Sequence, residues 1–357
     1  MRSALHTPIC DLLAIETPII SAPMGGVAGP ELAAAVSNAG GLGLIGLATF
    51  DLEETRPLIR AAKAATSRPF GVGILFPSGT QETGDEAPPP LPGFLVHLMA
   101  AALGGVPTRR RSRLDYAAAE MQLSVAIEEG VKVLAIGLGT PEAAVRRAKA
   151  AGMIIVSLVG SLKAAIAVER EGADIIVAQG HEAGGHTGRT ATFVIVPQIV
   201  DAVRVPVVAA GGITDGRGLA AALMLGAAGV LVGTRFLATP EARTADSHKQ
   251  RVVAMRSDET TVSRCYTGKP SRVIRNAFTD VWTGHEDEIL PMPRQWARVE
   301  PIAGPAKAAG SIELANWPTG QAAVLIATVE PAGEIVAAMT RDAAALLARP
   351  PGLVASG

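Results

Sequence analysis

The sequence predicts an α/β protein, namely a (β/α)8 TIM barrel with a smaller, mostly helical second domain inserted after the eighth strand. Short apolar runs alternate with alanine-rich helical stretches, which is typical of parallel strands joined by helical crossovers. Eight such runs are present, and a helix candidate or an insertion follows each one. In chain order the predicted strands are Pro18–Ala22, Leu42–Ile45, Phe70–Ile74, Val131–Ile136, Ile154–Leu158, Asp174–Ala178, Val207–Ala209 and Gly229–Val232.

The competing architecture is an open, doubly wound sheet, in which a glycine fingerprint follows the first strand. The segment Met24–Gly29 matches that fingerprint only loosely, and no convincing ribose-binding acidic residue follows it. The chain is 48% hydrophobic and 18% charged, which suits a sheet covered by helices on both faces. These observations favour the closed barrel.

Charge and cysteine content narrow the classes of partner and compartment. The 32 basic and 33 acidic residues give a net charge of −1, so no overall field favours nucleic acid or an anionic membrane, and we expect a small-molecule substrate. Cys10 and Cys265 are the only cysteines, which argues against a disulfide framework and fits a cytoplasmic protein. No stretch of about 18 apolar residues predicts a membrane span. The sequence leaves open whether the protein forms a homodimer.

Two regions interrupt the barrel pattern and set the predicted domains. Residues 1–234 form the barrel, with an insertion at 76–115 that we interpret as a loop or lid. Residues 235–330 contain all three tryptophans and are predicted to form the small domain on the substrate side, and 331–357 supply a C-terminal helix that returns to the barrel. The Arg109–Arg113 run is interpreted as a solvated surface; the alternative is a lid that binds a phosphorylated substrate.

The loops after the last two predicted strands carry small residues that indicate a phosphate site. Barrel enzymes often bind phosphate with backbone N–H groups at these two loops. Gly211 and Gly212 follow strand seven, and Gly233 and Thr234 follow strand eight. Singly these glycines would be read as strand caps, but the paired arrangement favours phosphate binding.

Two further loops face the same barrel mouth. After strand one, the turn Ala22–Gly25 has side chains small enough for a planar ring to lie against the backbone. After strand six, a glycine-rich loop carries His181 and His186, and an imidazole titrates close to neutrality, as a general base requires. The spacing of these histidines in a loop lacks the i, i+4 helical geometry of a zinc protease, so no metal site is predicted.

The motifs together resemble the nitronate monooxygenase family, formerly called 2-nitropropane dioxygenases, which is related to the flavin-dependent enoyl-ACP reductases. The resemblance extends over nearly the whole chain. It is carried by Ala22–Gly25, Ser37–Gly43, Ala178–Gly180, Glu182–His186, Ala210–Ile213, Gly233–Phe236, Thr267–Asn276 and Gly320–Ala322.

The resemblance implies that FMN lies across the barrel mouth. His186 is then the catalytic base that removes the proton α to a nitro group, whereas His181 stands where relatives vary and is given no role. The residues implied in cofactor binding are Ala22, Pro23, Met24 and Gly25 along the isoalloxazine, Gln179 at the ring or ribityl chain, and Gly180, Gly185, Gly211, Gly212, Gly233 and Thr234 at the ribityl and phosphate groups.

The implied activity is FMN-dependent oxidation of alkyl nitronates by O2 to a carbonyl compound and nitrite. The first alternative is an NAD(P)H-dependent flavin reductase of quinones or enoyl thioesters, with NAD(P)H as co-substrate, and the second is a flavin-binding protein without turnover. Ser21 and Gly73 depart from the glutamine and asparagine that many relatives carry, so a polar contact near the flavin is expected to be absent or replaced.

Overall fold

The computed structural model describes residues 5–77, 90–96, 116–256 and 259–348. Most of the predicted insertion at 76–115, including the Arg109–Arg113 run, lies outside the described residues. In chain order the strands are β1 (Ile19–Ser21), β2 (Gly43–Gly46), β3 (Phe70–Leu75), β4 (Val133–Gly137), β5 (Ile154–Val159), β6 (Ile175–Gln179), β7 (Gly185–His186), β8 (Val207–Ala210), β9 (Gly229–Val232), β10 (Thr260–Ser263) and β11 (Ser271–Ile274). The helices are α1 (Pro8–Leu13), α2 (Pro30–Asn38), α3 (Leu52–Ala65), α4 (Tyr116–Glu128), α5 (Glu142–Ala150), α6 (Leu162–Arg170), α7 (Thr192–Val200), α8 (Gly216–Met224), α9 (Thr234–Leu237), α10 (Asp246–Val253), α11 (Ala277–Asp280), α12 (Arg294–Ala308) and α13 (Ala332–Ala348).

Eight of these strands form one parallel sheet, in the order β1-β9-β8-β6-β5-β4-β3-β2. Its two ends, β1 and β2, meet through the Ser21 N–H donating to the Leu42 carbonyl and the Leu42 N–H donating to the Ile19 carbonyl, each at 2.9 Å. The barrel is therefore closed, and the predicted (β/α)8 fold is confirmed. All eight predicted strands overlap the observed ones.

The closure explains the serine at the end of the first strand. Ser21 is fully buried, and its Oγ accepts a hydrogen bond of 3.0 Å from the Leu44 N–H, on the neighbouring strand. Because the hydroxyl is committed to joining β1 to β2, it supports the barrel seam. Its role in this chain is structural.

The apolar core lies on both faces of the barrel strands, as expected for a parallel sheet covered by helices. One cluster fills the barrel interior and includes Ile20, Leu44, Val177 and Val208, all with 0% exposure. A larger cluster lies under the surrounding helices. This burial on two faces accounts for the continuous apolar strand segments in the sequence.

Residues 235–330 differ from the mostly helical prediction. Besides helices, they contain β10 and β11, an antiparallel pair that joins β7 in a three-stranded sheet. Trp282 and Trp317 are buried in the same apolar cluster as Ile19 and Val230 of the barrel, so this segment and the barrel share one core. The division at residue 234 stays a prediction.

The last helix, α13, packs against α8 and α2 on the outside of the barrel. Its inward face buries Ile335, Val336 and Met339. The assignment of 331–357 as a separate C-terminal segment stays a prediction. None of the helices among the described residues is both long and apolar enough to cross a membrane.

Candidate active site

A cavity of about 1370 Å³ opens at the carboxyl ends of the barrel strands. Its walls are the turn after β1, the loop after β6, the glycines after β8 and β9, and one face of α12. Barrel enzymes place their active sites at this end of the strands. The predicted site residues that line it are Ala22, Pro23, Met24, Gly25, Gln179, Gly185, His186, Gly211, Gly212, Gly233 and Thr234.

Gly180 is the exception among the predicted site residues. It is absent from the cavity wall and packs against the start of α7, where a β-carbon would lie 1.9 Å from Thr192 Oγ1. Its carbonyl accepts a hydrogen bond of 3.1 Å from Thr187 Oγ1. Glycine is therefore needed here for close packing of the loop, and its contact with the cofactor stays a prediction.

The turn after β1 lies across the top of the barrel, and Gly73 makes room for it. A β-carbon on Gly73 would lie 2.1 Å from Cβ of Pro23, so the proline ring occupies the space that any side chain at 73 would take. The Met24 N–H donates to the Ala22 carbonyl at 2.8 Å and tightens the turn. In this chain Gly73 is therefore required by the position of Pro23.

Gly233, after β9, lies close to that turn, and the glycines after β8 lie beside the loop after β6. Gly211 and Gly212 have φ angles of +100° and +75°, a left-handed backbone that favours glycine. A β-carbon on Gly233 would stand 3.5 Å from Ala22 Cβ and 3.8 Å from Met24 Sδ. The backbone at Gly233 is therefore open to a ligand beside the turn, whereas a β-carbon on Gly211 would lie 2.9 Å from Thr192 Oγ1.

Thr234 contributes a hydroxyl to this part of the cavity. Its Oγ1 accepts a hydrogen bond of 2.9 Å from the Gly320 N–H, which ties the loop at 318–320 to the barrel. Since the bond uses only a lone pair, the hydroxyl hydrogen can still be donated to a ligand.

The His186 imidazole lies in the wall of the same cavity. Its Nε2 is 3.0 Å from Thr267 Oγ1, and Gln179 Nε2 donates to its backbone carbonyl at 2.5 Å. Burial, and then the positive charge of Lys269, lowers the pKa of His186 to about 4. The ring is consequently neutral at physiological pH and able to accept a proton.

His181 has a different environment from His186. Arg272 Nη2 donates to His181 Nε2 at 2.8 Å, and His181 Nδ1 lies 3.2 Å from the Gly188 carbonyl. Both ring nitrogens are thus engaged within the loop. The geometry indicates that His181 holds the loop in shape.

The cavity also contains groups that the sequence did not single out. His248, on α10, is 1% exposed, and burial followed by the charge of Lys307 lowers its pKa to about 3. Lys307, on α12, places its ammonium 5.7 Å from the centroid of the Trp317 ring, and burial lowers its pKa. Both come from helices rich in charged residues, which resemble solvated surface in sequence. No local signal identifies them.

The closed barrel, its cavity at the strand carboxyl ends and a neutral imidazole in the wall define an α/β-barrel enzyme. Residues 6–342 match the family model described as nitronate monooxygenase. The chain therefore belongs to the nitronate monooxygenase family and is a flavin-dependent oxidoreductase.

Two solved structures resemble this chain over almost its whole length. The structure of FabK from Thermotoga maritima has a TM-score of 0.80 and 32% identity, with coverage of 98% of this chain and 99% of that one. Nitroalkane oxidase from Streptomyces ansochromogenes has a TM-score of 0.80 and 30% identity, with coverage of 95% and 99%.

A relative from Rhodococcus jostii, (3aS,4S,5R,7aS)-5-hydroxy-7a-methyl-1-oxo-octahydro-1H-indene-4-carboxyl-CoA dehydrogenase, is 38% identical over 76% of this chain. The match spans 66% of that relative's own length.

Proposed function

We propose that this protein oxidises nitroalkanes and their alkyl nitronates with O2 to a carbonyl compound and nitrite, using FMN. The observation that carries the proposal is the position of His186: a half-buried, neutral imidazole lines the same cavity as the turn at 22–25 and the glycines after β8 and β9. A base in this position suits removal of the acidic proton α to a nitro group. The match to the nitronate monooxygenase model and the likeness to a nitroalkane oxidase support it.

The residues of the cavity fit FMN. Its volume of about 1370 Å³ exceeds that of common small-ligand pockets, which leaves space for a flavin and a substrate together. The open backbone at Gly212 and Gly233 and the donor hydroxyl of Thr234 suit the phosphate and ribityl groups. Pro23 and Met24 offer an apolar surface to the ring. When bound, the flavin supplies electron transfer between substrate and O2.

The protein's own part in the reaction is to bind, orient and deprotonate. A neutral nitroalkane loses its α-proton to the His186 ring: the C–H bond breaks, an N–H bond forms, and the electron pair moves into the nitro group to give the nitronate. Burial of the imidazole keeps its lone pair available. A preformed nitronate does not need this step.

A second candidate is reduction of quinones or enoyl thioesters with NAD(P)H. The cavity volume and the relative from Rhodococcus jostii, whose name describes a CoA thioester as substrate, favour it. In that reaction NAD(P)H would be the electron donor, and His186 would order or donate a proton.

Anaerobic mixing distinguishes the two candidates. The holoenzyme is mixed with nitroethane, with ethyl nitronate, with NADH and with NADPH, and the visible flavin absorbance is followed. Rapid bleaching by the nitro compounds and not by the nucleotides supports nitronate oxidation. Rapid bleaching by NADH or NADPH overturns it in favour of the reductase. If none of the four bleaches the flavin, the protein binds the cofactor without turnover.

The role of His186 is tested with His186→Ala. We expect turnover of neutral nitroethane to fall about 10²- to 10⁴-fold, with a much smaller effect on ethyl nitronate. His6→Ala is the matched control. His6 lies before α1, contacts Asp11 and is not part of the cavity wall, so this variant should retain both activities. Equal losses on the two substrates would exclude His186 as the base.

A further inference from the structure

Thr267 is the hydrogen-bond partner of the candidate base. Its side chain is 4% exposed, and its Oγ1 lies 3.0 Å from His186 Nε2. The same Oγ1 is 3.1 Å from the Lys269 carbonyl oxygen and 3.3 Å from the Lys269 amide nitrogen. The proposed function does not by itself assign Thr267 a part.

The three contacts together determine where the hydrogens lie. A threonine hydroxyl has one hydrogen to donate and two lone pairs that accept. The Lys269 carbonyl can only accept, so it takes the hydroxyl hydrogen, and the Lys269 N–H can only donate, so it takes one lone pair. The second lone pair is left for His186. Nε2 of His186 must therefore carry a hydrogen, and Nδ1 must carry the free lone pair.

We propose that Thr267 is a positioning residue that fixes His186 as the Nε2–H tautomer, so that Nδ1 is the atom that removes the substrate proton. This inference rests on the proposed function. The hydrogen bond from Nε2 to Thr267 is the same for the neutral ring and for the imidazolium. The surroundings of His186 therefore need no rearrangement when the proton arrives at Nδ1.

The backbone around His186 and Thr267 holds the two side chains next to each other. β7 pairs with β11 so that His186 faces Ser271, four residues after Thr267. The Thr187 N–H also donates to the Pro270 carbonyl at 3.3 Å. The short sheet that sequence reasoning missed thus holds the base against its partner.

His248 provides an internal contrast in the same cavity. Its Nδ1 lies 3.0 Å from Thr244 Oγ1, and its Nε2 lies 3.1 Å from Thr319 Oγ1, which also donates to the Trp317 carbonyl at 3.2 Å. Both nitrogens of His248 are engaged. Among the described residues, Nδ1 of His186 has no such hydrogen bond. Each histidine thus contacts a threonine through Nε2, but only His186 retains a free lone pair on Nδ1.

The experiment replaces the hydroxyl and reads the tautomer directly. Protein with ¹⁵N-labelled histidine is examined by NMR as wild type, Thr267→Val and Thr267→Ser. We expect His186 to be an Nε2–H tautomer in the wild type and in Thr267→Ser, and a mixture in Thr267→Val. Thr319→Val is the matched control, because it removes the equivalent hydroxyl from His248 and should leave the His186 resonances in place.

Turnover gives the second measurement. Loss of the hydrogen bond, with part of the population in the wrong tautomer, predicts about a tenfold fall with nitroethane in Thr267→Val. Ethyl nitronate should be oxidised within about twofold of wild type, and Thr267→Ser should restore the nitroethane rate. Thr267→Ala serves as a second hydroxyl-free variant if the valine protein does not fold.

Two outcomes would overturn the inference. One is retention of a pure Nε2–H tautomer in the hydroxyl-free variants. The other is a changed tautomer with unchanged turnover of nitroethane. If the wild type does not oxidise nitroalkanes at all, the proposed function fails, whereas the NMR result still decides whether Thr267 sets the tautomer.

Discussion

Two histidines, the buried His248 and the half-buried His186, predict that the apoprotein loses stability on mild acidification. The pKa of His186 falls from 6.5 to about 4 and that of His248 from 6.5 to about 3 on folding, chiefly because burial disfavours the charged ring. As pH falls below 6.5, the unfolded chain binds a proton at each site and the folded protein does not, so acid stabilises the unfolded state. The loss ends only below the folded pKa values. Between pH 7 and pH 5 it amounts to about 2 kcal/mol for each histidine, or about 4 kcal/mol together.

The informative perturbation is His248→Gln. A glutamine amide has both a donor and an acceptor for Thr244 and Thr319, but it does not titrate. The variant should therefore lose only about 2 kcal/mol over the same pH range, the share that belongs to His186. His186→Gln should remove the other share.

The assay is urea unfolding of the flavin-free proteins at pH 7, 6 and 5, followed by tryptophan fluorescence. Trp282 and Trp317 are buried at 2% and 1% exposure and so report loss of the core. Free energies that fall in parallel for wild type and His248→Gln would refute the reasoning. Such a result would mean that His248 takes up its proton equally in both states.

The remaining predictions concern the cavity. Gly233→Ala should fold normally, since the new β-carbon meets no atom closer than 3.5 Å. It should nevertheless weaken FMN binding about 10- to 100-fold in a fluorescence titration. Unchanged affinity would remove Gly233 from the cofactor site. Gly73→Asn should lower the free energy of unfolding by about 1–3 kcal/mol, because its β-carbon collides with Pro23; an unchanged urea midpoint would contradict this packing. With nitroethane, kcat/KM should stay level from pH 7 to pH 5 and fall near the His186 pKa of about 4, whereas an inflection at 6.5 would show that burial does not control the base.

The barrel could be predicted from sequence because its strands are buried on two faces. Segments such as Val207–Ala209 and Gly229–Val232 are apolar throughout, and their spacing by helical stretches repeats along the chain. The sheet of β7, β10 and β11 could not be predicted in this way. A two-residue strand has no periodicity, and its partner lies far along the chain.

The site shows the same division between local and long-range information. His186 and the turn at 22–25 could be proposed from sequence because each belongs to a local motif, and the structure places both in the wall of one cavity. The packing of Gly180 against Thr192 could not be predicted, because a glycine that makes room for a side chain looks the same in sequence as one that makes room for a ligand. His248 was missed because its burial comes from residues near 317–319, about 70 positions later.

The shared core of the barrel and residues 235–330 has a consequence for protein engineering. Trp282 and Trp317 pack in one cluster with Ile19 and Val230. A chain cut at residue 234 would therefore expose a large apolar surface to water and aggregate. Swapping this whole segment with that of a homologue would likewise break many matched contacts at once. Altered substrate selectivity is better sought by exchanging single side chains on the cavity face of α12, because such changes leave the shared apolar core intact.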